Sequence, residues 1–254
     1  MNKVKPKKYL GQHFLVNEIV AKSITDLISD ETAKVVEVGP GMGVLTKFLM
    51  DKELDLKLVE IDKEAIHFLI VHYPDLKQNI IAADFLRVNL YKIYSTPFTL
   101  IGNFPYNISS QILFVVFENN DIIPEVVGMF QKEVAERIVA KRGKKRGILS
   151  VLIQTFYNVE YCFTVDEDMF NPPPKVKSGV IKLKRNNLKE LQCDRKLFKR
   201  IVKEAFNKRR KTLRNALKTF SLENQPELTN LLQKRAEELS VEDFIFITKI
   251  CQKK

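Results

Sequence analysis

The chain has 254 residues, 45% of them hydrophobic and 29% charged, enough for one large domain or a domain with a smaller appendage. Three cysteines without paired spacing and three scattered histidines argue against a disulfide framework or a metal centre, and a net charge of +11 points to a polyanionic partner. No apolar run approaches the roughly 20 residues of a membrane helix, and the basic start MNKVKPKKYLGQHF lacks the apolar stretch of a secretory signal, so a soluble, cytoplasmic protein is expected.

In chain order, Ile19, Val20, Ile24, Leu27 and Ile28 repeat at helical spacing behind Asn17, which predicts an N-capped helix. Short β-branched runs then alternate with helical patterns. Strands are predicted at Lys34–Val38, Leu56–Ile61, Asn79–Ala82, Phe98–Ile101, Glu125–Phe130, Val159–Phe163 and Gly179–Leu183. Helices are predicted at Leu45–Met50, Lys63–Val71, Ser110–Phe117 and Lys132–Ala140. This alternation implies an α/β fold with a mostly parallel sheet, and the helix-free step between the last two strands implies an antiparallel edge. After Arg185 only helical spacing remains, so the chain divides into residues 1–185 and 186–254, joined by the polar KRNNLKELQCD.

The first strand runs into EVGPGMGVLT, whose glycines at 39, 41 and 43 allow a tight turn and close backbone approach to a ligand. Such a turn alone is also compatible with a purely structural role. Its context favours a nucleoside: Glu60 ends the second strand, placed to accept from ribose hydroxyls, and Asp84 ends the third, placed to accept from an adenine amine. At the fourth strand end lies GNFPYNISS. Asn103 and the carbonyl of Pro105 offer acceptors, and Tyr106 offers a flat face. Two acceptors aimed at the two protons of an exocyclic amine on a flipped base would draw its lone pair out of conjugation while the ring stacks on the base. Proton loss can follow methyl transfer, so no strong base is required.

Basic residues collect in KVKPKK, in KRGKKRG at Lys141–Gly147 and most densely in Arg195–Lys218, with 11 basic residues and one acid. Each cluster alone could be a solvated face; together they suit phosphate contacts.

Taken together, LGQHFLVN, EVGPGMGVLT, VEID, ADF, GNFPYNISS, QKEVAERI, FNPPPKVKS, FNKRRKTLRNAL and RAEELSVEDF resemble the ribosomal RNA adenine dimethyltransferases, and among them the small-subunit enzymes, over nearly the whole chain. The resemblance implies a class I S-adenosylmethionine-dependent methyltransferase fold: a Rossmann-like, mostly parallel seven-stranded sheet with a small all-α C-terminal domain. It implies S-adenosylmethionine as donor and S-adenosylhomocysteine as product, with no metal. The implied targets are two adjacent adenosines near the 3′ end of small-subunit RNA, methylated late in 30S assembly by a monomer acting on the immature particle.

By motif match, His13, Leu15, Gly39, Gly41, Glu60, Asp84 and Asn103 hold the cofactor, and Asn103, Pro105 and Tyr106 hold the target amine. Tyr106 and Phe170 flank the base, while Lys208, Arg209, Arg210 and Lys211 bind RNA on a helix whose other face carries Phe206 and Leu213. Each assignment has a structural rival: a core or capping His13, a Phe170 that plugs the sheet edge, a solvated Lys208–Lys211 face. One departure is Phe104, where the family usually has Leu or Ile; it reads as a packing change. Two other functions share much of the pattern. The resistance enzymes that methylate large-subunit RNA diverge in the C-terminal helices, and a binding or assembly factor would not need the chemistry-bearing positions, all of which are filled here.

Overall fold

A computed structural model describes residues 4–220, 222 and 226–252; Lys3 of the N-terminal basic cluster lies outside them. In chain order the elements are β1 (Phe14–Leu15), α1 (Glu18–Thr25), β2 (Lys34–Val38), α2 (Val44–Met50), β3 (Asp55–Glu60), α3 (Lys63–His72), β4 (Ile80–Ala82), α4 (Leu90–Ile93), β5 (Thr99–Asn103), α5 (Ser109–Glu118) and β6 (Glu125–Gln131). They continue with α6 (Lys132–Val139), α7 (Ile148–Phe156), β7 (Tyr157–Val165), β8 (Phe170–Asn171), β9 (Ser178–Arg185), α8 (Arg195–Asn207), α9 (Leu213–Ala216), α10 (Thr229–Leu232) and α11 (Val241–Gln252).

The seven-stranded sheet runs in the order β4-β3-β2-β5-β6-β9-β7. Strands β2 to β6 pair in parallel, and β9 lies antiparallel to β6, with Gly128 opposite Ile181. The predicted antiparallel edge is therefore present. Because helices cover a parallel sheet on both faces, its central strands read as unbroken apolar runs: Val35, Val36, Leu100, Ile101, Val126 and Val127 are all fully buried. Asn17 caps α1, its side chain accepting from the N–H of Val20 at 2.9 Å, which explains why that helix was legible.

The order of the strands fixes where a ligand can sit. The chain enters the sheet at β2, builds outward to β4, then crosses back to lay β5 on the other side of β2. The loops leaving β2 and β5 therefore diverge and leave a crevice at the carboxyl ends of the strands.

By its internal packing the chain forms two units, residues 1–135 with 160–184, and residues 136–159 with 185–254. In this division 136–159 groups with the C-terminal helices. The reason is α7, ILSVLIQTF, which buries Ser150, Val151, Leu152, Ile153, Thr155 and Phe156. Such a strongly apolar helix must be covered, and α8 and α11 pack on it. Its few polar residues are taken up locally, Ser150 and Gln154 donating to the carbonyls of Arg137 and Ile138, and no helix is predicted there. In α8 the buried stripe is Phe198, Ile201, Val202, Ala205 and Phe206.

Candidate active site

The site begins with the turn after β2. Gly39 and Gly41 have φ of +67° and +57°, a region that disfavours any residue with a Cβ. The N–H of Gly39 donates to the carbonyl of Val59 at 2.9 Å, and that of Gly41 to Oε2 of Glu60 at 3.1 Å. A Cβ on Gly41 would stand 2.9 Å from the ring of Phe14. The turn is thus pinned to β3 on one side and closed by an N-terminal ring on the other.

Glu60, at the tip of β3, is only 4% exposed. Its Oε1 accepts from the N–H groups of Ile61 and Asp62 at 2.8 and 2.9 Å. Burial pushes its pKa up, and the three backbone donors from Asp62, Gly41 and Ile61 work against that rise. Each carboxylate oxygen has two acceptor positions, so Oε2 keeps one open for a ligand hydroxyl. Asp84, beyond β4, accepts from the N–H of Leu86 at 3.0 Å through Oδ1, and its Oδ2 lies 3.5 Å from Nε of Arg87.

Asn103 closes β5. Its Nδ2 donates to the carbonyl of His13 at 2.9 Å, which leaves Oδ1 as the free end of the amide. The carbonyl of Pro105 accepts from the N–H of Ile108 at 3.1 Å and retains a second lone pair. The Pro105 ring comes within 3.8 Å of where a Cβ on Gly39 would be, so the glycine turn and the Asn-Phe-Pro-Tyr turn meet. Tyr106 stacks on His13 with ring centroids 5.5 Å apart at 30°, and its hydroxyl bonds the hydroxyl of Ser178. Burial raises the Tyr106 pKa, so the phenol stays neutral. Nδ1 of His13 lies 2.8 Å from the carbonyl of Pro172; a carbonyl only accepts, so Nδ1 carries the proton.

One cavity of about 290 Å³ is lined by His13, Gly39, Gly41, Glu60, Asp84, Asn103, Pro105 and Tyr106. Eight residues singled out from the sequence thus share a single space. Leu15 is not among them: it is 3% exposed and lines a smaller adjoining recess with Glu37, Gly39 and Asn103. Nor is Phe170 brought to the cavity. It pairs with Leu15 across a two-residue antiparallel ladder and is buried in the core with Val165 and Val180, so the expected flanking of a base by Phe170 is replaced here by a core contact. Phe104 is fully buried beside Phe130, ring centroids 5.2 Å apart.

The Lys208–Lys211 run departs from its predicted helix. Helix α8 stops at Asn207, and the run forms the turn before α9. Arg209 is not a free cation: Nε meets Oε2 of Glu237 at 2.8 Å and Nη2 meets the carbonyl of Lys144. Lys208 donates to the carbonyl of Ala216 at 3.2 Å. Arg210 and Lys211 are exposed.

Two features were not predicted. Glu37, at the base of the glycine turn, is 1% exposed, accepts from the hydroxyl of Thr46 at 2.7 Å, and has a pKa pushed up to about 8, mainly by burial. An acid inside the apolar KVVEV was the signal for it. The second is a strap: Lys7 bonds Asp62, Gln12 donates to Asp62 at 2.9 Å, and Asn107 donates to the carbonyl of Tyr9 at 3.1 Å. These bonds fasten the segment around residues 7–13 along the cavity.

The family described as Ribosomal RNA adenine dimethylase matches residues 3–253. The chain is 55% identical to a Flavobacterium johnsoniae protein named Ribosomal RNA small subunit methyltransferase A, across 98% of this chain and 97% of that one. It is 56% identical to a Bacteroides thetaiotaomicron protein of the same name, across 98% and 94%. Among solved structures, a dimethyladenosine transferase from Plasmodium falciparum superposes with a TM-score of 0.77 at 24% identity, covering 95% of this chain and 98% of that one. The 23S rRNA methyltransferase ErmE superposes at 0.71 and 22%, covering 94% and 99%. These two share the fold. No helix among the described residues is long and apolar enough to cross a membrane.

Proposed function

The chain belongs to the ribosomal RNA adenine dimethylase family, and we propose that it dimethylates the exocyclic amines of two adjacent adenosines near the 3′ end of small-subunit ribosomal RNA. It takes its methyl groups from S-adenosylmethionine, acts late in 30S assembly on the immature particle, and works as a monomer in the cytoplasm. The observation that carries this reading is the shared cavity: a nucleoside half made of Gly39, Gly41, Glu60 and Asp84 opens onto an amine half made of Asn103, Pro105 and Tyr106. The small-subunit target is supported by the near full-length relatives named for that subunit.

When bound, S-adenosylmethionine supplies an electrophilic methyl group on a sulfonium centre. The residues fit it: the glycine turn has no Cβ in the way, Oε2 of Glu60 has an open acceptor position for a ribose hydroxyl, and Asp84 faces the same space for an adenine amine. On the other side, Oδ1 of Asn103 and the carbonyl of Pro105 accept the two N–H bonds of the target amine. That draws the nitrogen toward a tetrahedral shape and localises its lone pair. The proline fixes the turn, so both acceptors are in position before the base arrives. Tyr106, held by Ser178 and backed by His13, supplies the face on which the base stacks. The proton released after transfer is acidic enough to leave to water. The exposed Arg210 and Lys211 contact RNA phosphates, while Lys208 and Arg209 hold the turn that presents them.

Purified protein, labelled S-adenosylmethionine and 30S particles lacking these methyl groups make the test. Label should map to two neighbouring adenosines near the 3′ end, two methyls on each. Label in large-subunit RNA instead, or none in either subunit, would overturn the reading.

A further inference from the structure

The unit formed by residues 136–159 and 185–254 contains a second recessed surface that no part of the proposed reaction uses. Two recesses of about 650 and 530 Å³ share Gln154, Asn158, Val241 and Glu242 as walls and so form one groove. At one end stand Lys141 and Arg142, both exposed; at the other stand Arg185 and Lys249. Glu242 is the one acid that lines either recess. Phe246, 40% exposed, offers a ring face within the groove.

Arg146, part of the groove wall, is the unusual member. It is 1% exposed, yet its guanidinium has no ion pair among the described residues. Nη1 serves as a cap for the chain leaving α6, donating to the carbonyls of Ala140 (3.0 Å) and Lys141 and to Oε1 of Gln154 (2.9 Å). Nε has no partner among the described residues. A buried donor left unmade costs on the order of 1–3 kcal/mol, more when charged, so capping explains Nη1 and leaves Nε unexplained. Burial brings the Arg146 pKa down to about 10, with Glu242 pulling it back up; the group stays charged at neutral pH. A charged, buried, incompletely bonded guanidinium beside two exposed cations is the chemistry of a phosphate site.

We propose that this groove binds a single-stranded stretch of RNA, with a backbone phosphate on the exposed Lys141 and Arg142, over the buried charge of Arg146, and a base against Phe246. The inference rests on the reading of the protein as an RNA-modifying enzyme and extends its RNA contacts well beyond Arg210 and Lys211. Cations at both ends suit a strand rather than a lone anion. A ring face with the asparagine amide of Asn158 between the two recesses suits unpaired bases.

The test uses the full chain with Lys141→Gln and Arg142→Gln together, both exposed and away from the cofactor cavity. Binding of a labelled single-stranded RNA of about 12 nucleotides, long enough to span such a groove, is followed by anisotropy over a range of salt. Losing two phosphate contacts should weaken binding about tenfold and lower the slope of log affinity against log salt by about 1.4. An unchanged slope would overturn the proposal.

Arg146 itself is read without removing it, through its ¹⁵N-labelled Nε–H resonance, assigned by its loss in Arg146→Lys. That resonance should move on adding the oligonucleotide and stay put with inorganic phosphate at matched phosphate concentration; an equal shift with phosphate alone would overturn a strand site in favour of a free anion. Methylation of 30S particles separates this proposal from the one beneath it. Wild-type protein that methylates normally while the slope is unmoved sinks the groove alone, whereas protein that fails to methylate yet shows the slope change leaves the groove standing.

Discussion

The side-chain nitrogen of Asn103 donates to the main-chain carbonyl of His13 across 2.9 Å. That bond decides which end of the amide faces the cavity, because the nitrogen is committed and only the oxygen remains free to accept from an amine. It also ties the tip of β5 to the N-terminal strap, so target-amine recognition and cofactor enclosure depend on the same side chain.

Asn103→Asp keeps an acceptor oxygen but sets a second acceptor against the carbonyl of His13. Asn103→Ala removes both. Loss of a positioned polar group at a reacting centre typically lowers rate by roughly 10²–10³, and both variants should fall in that range in single-turnover methyl transfer, with particle binding kept in part. An aspartate variant with the wild-type rate would show that orientation of the amide is irrelevant.

Glu37 gives a pH signature. Its pKa in the fold is pushed up to about 8 from 4.5, mainly by burial. Between these values the folded state holds a proton that the unfolded state has given up, so stability falls as pH rises from about 4.5 and levels off above about 8. Glu37→Gln cannot ionise and keeps an oxygen for Thr46. Its melting temperature relative to wild type should therefore climb between pH 5 and pH 8; a constant difference would mean that Glu37 is already ionised at the lower pH.

Gly41→Ala would place a methyl group 2.9 Å from the Phe14 ring at a φ of +57°. Strain of this kind costs about 1–3 kcal/mol, and it falls where the turn meets Glu60. Calorimetric titration with S-adenosylmethionine should show affinity reduced about tenfold, the equivalent of about 1.4 kcal/mol, with a melting temperature lower by a few degrees.

Within the C-terminal basic run, neighbours should behave differently. Arg210→Gln with Lys211→Gln should leave the melting temperature unchanged and lower the salt slope of RNA binding by about 1.4. Arg209→Gln breaks the pair with Glu237 and the contact with Lys144, so it should cost about 1 kcal/mol of stability and change the slope little. The reverse pattern would reassign the phosphate contacts to Arg209.

The sheet was legible because parallel strands buried on both faces leave dense runs of Val, Ile and Leu, and because each run ends on a residue with an evident use. Glu60, Asp84 and Asn103 could each be placed at the carboxyl end of a strand from the sequence pattern. What escaped were relationships set by partners distant in sequence. The pairing of Leu15 with Phe170 links residues far apart in the chain, through two strands too short to carry an alternation. The polar residues of α7, Ser150 and Gln154, are spent on the carbonyls of Arg137 and Ile138, partners that only the fold reveals. Arg209 carries the same charge as Arg210, and only the fold reveals that Glu237 has claimed it.

The ring of Phe104 occupies room left by two glycines. A Cβ on Gly102 would lie 2.9 Å from it, and one on Gly128 only 2.4 Å. Gly102 is also held by the carbonyl of Val38, 2.6 Å from such a Cβ, whereas positions 104 and 128 compete for the same space, so substitutions at those two should be strongly non-additive. Alanine at 128 would also meet the ring of Phe130 at 2.7 Å, so it fits only when both the Phe104 and the Phe130 rings give way. Sequence drift in this corner of the sheet can proceed only in matched steps.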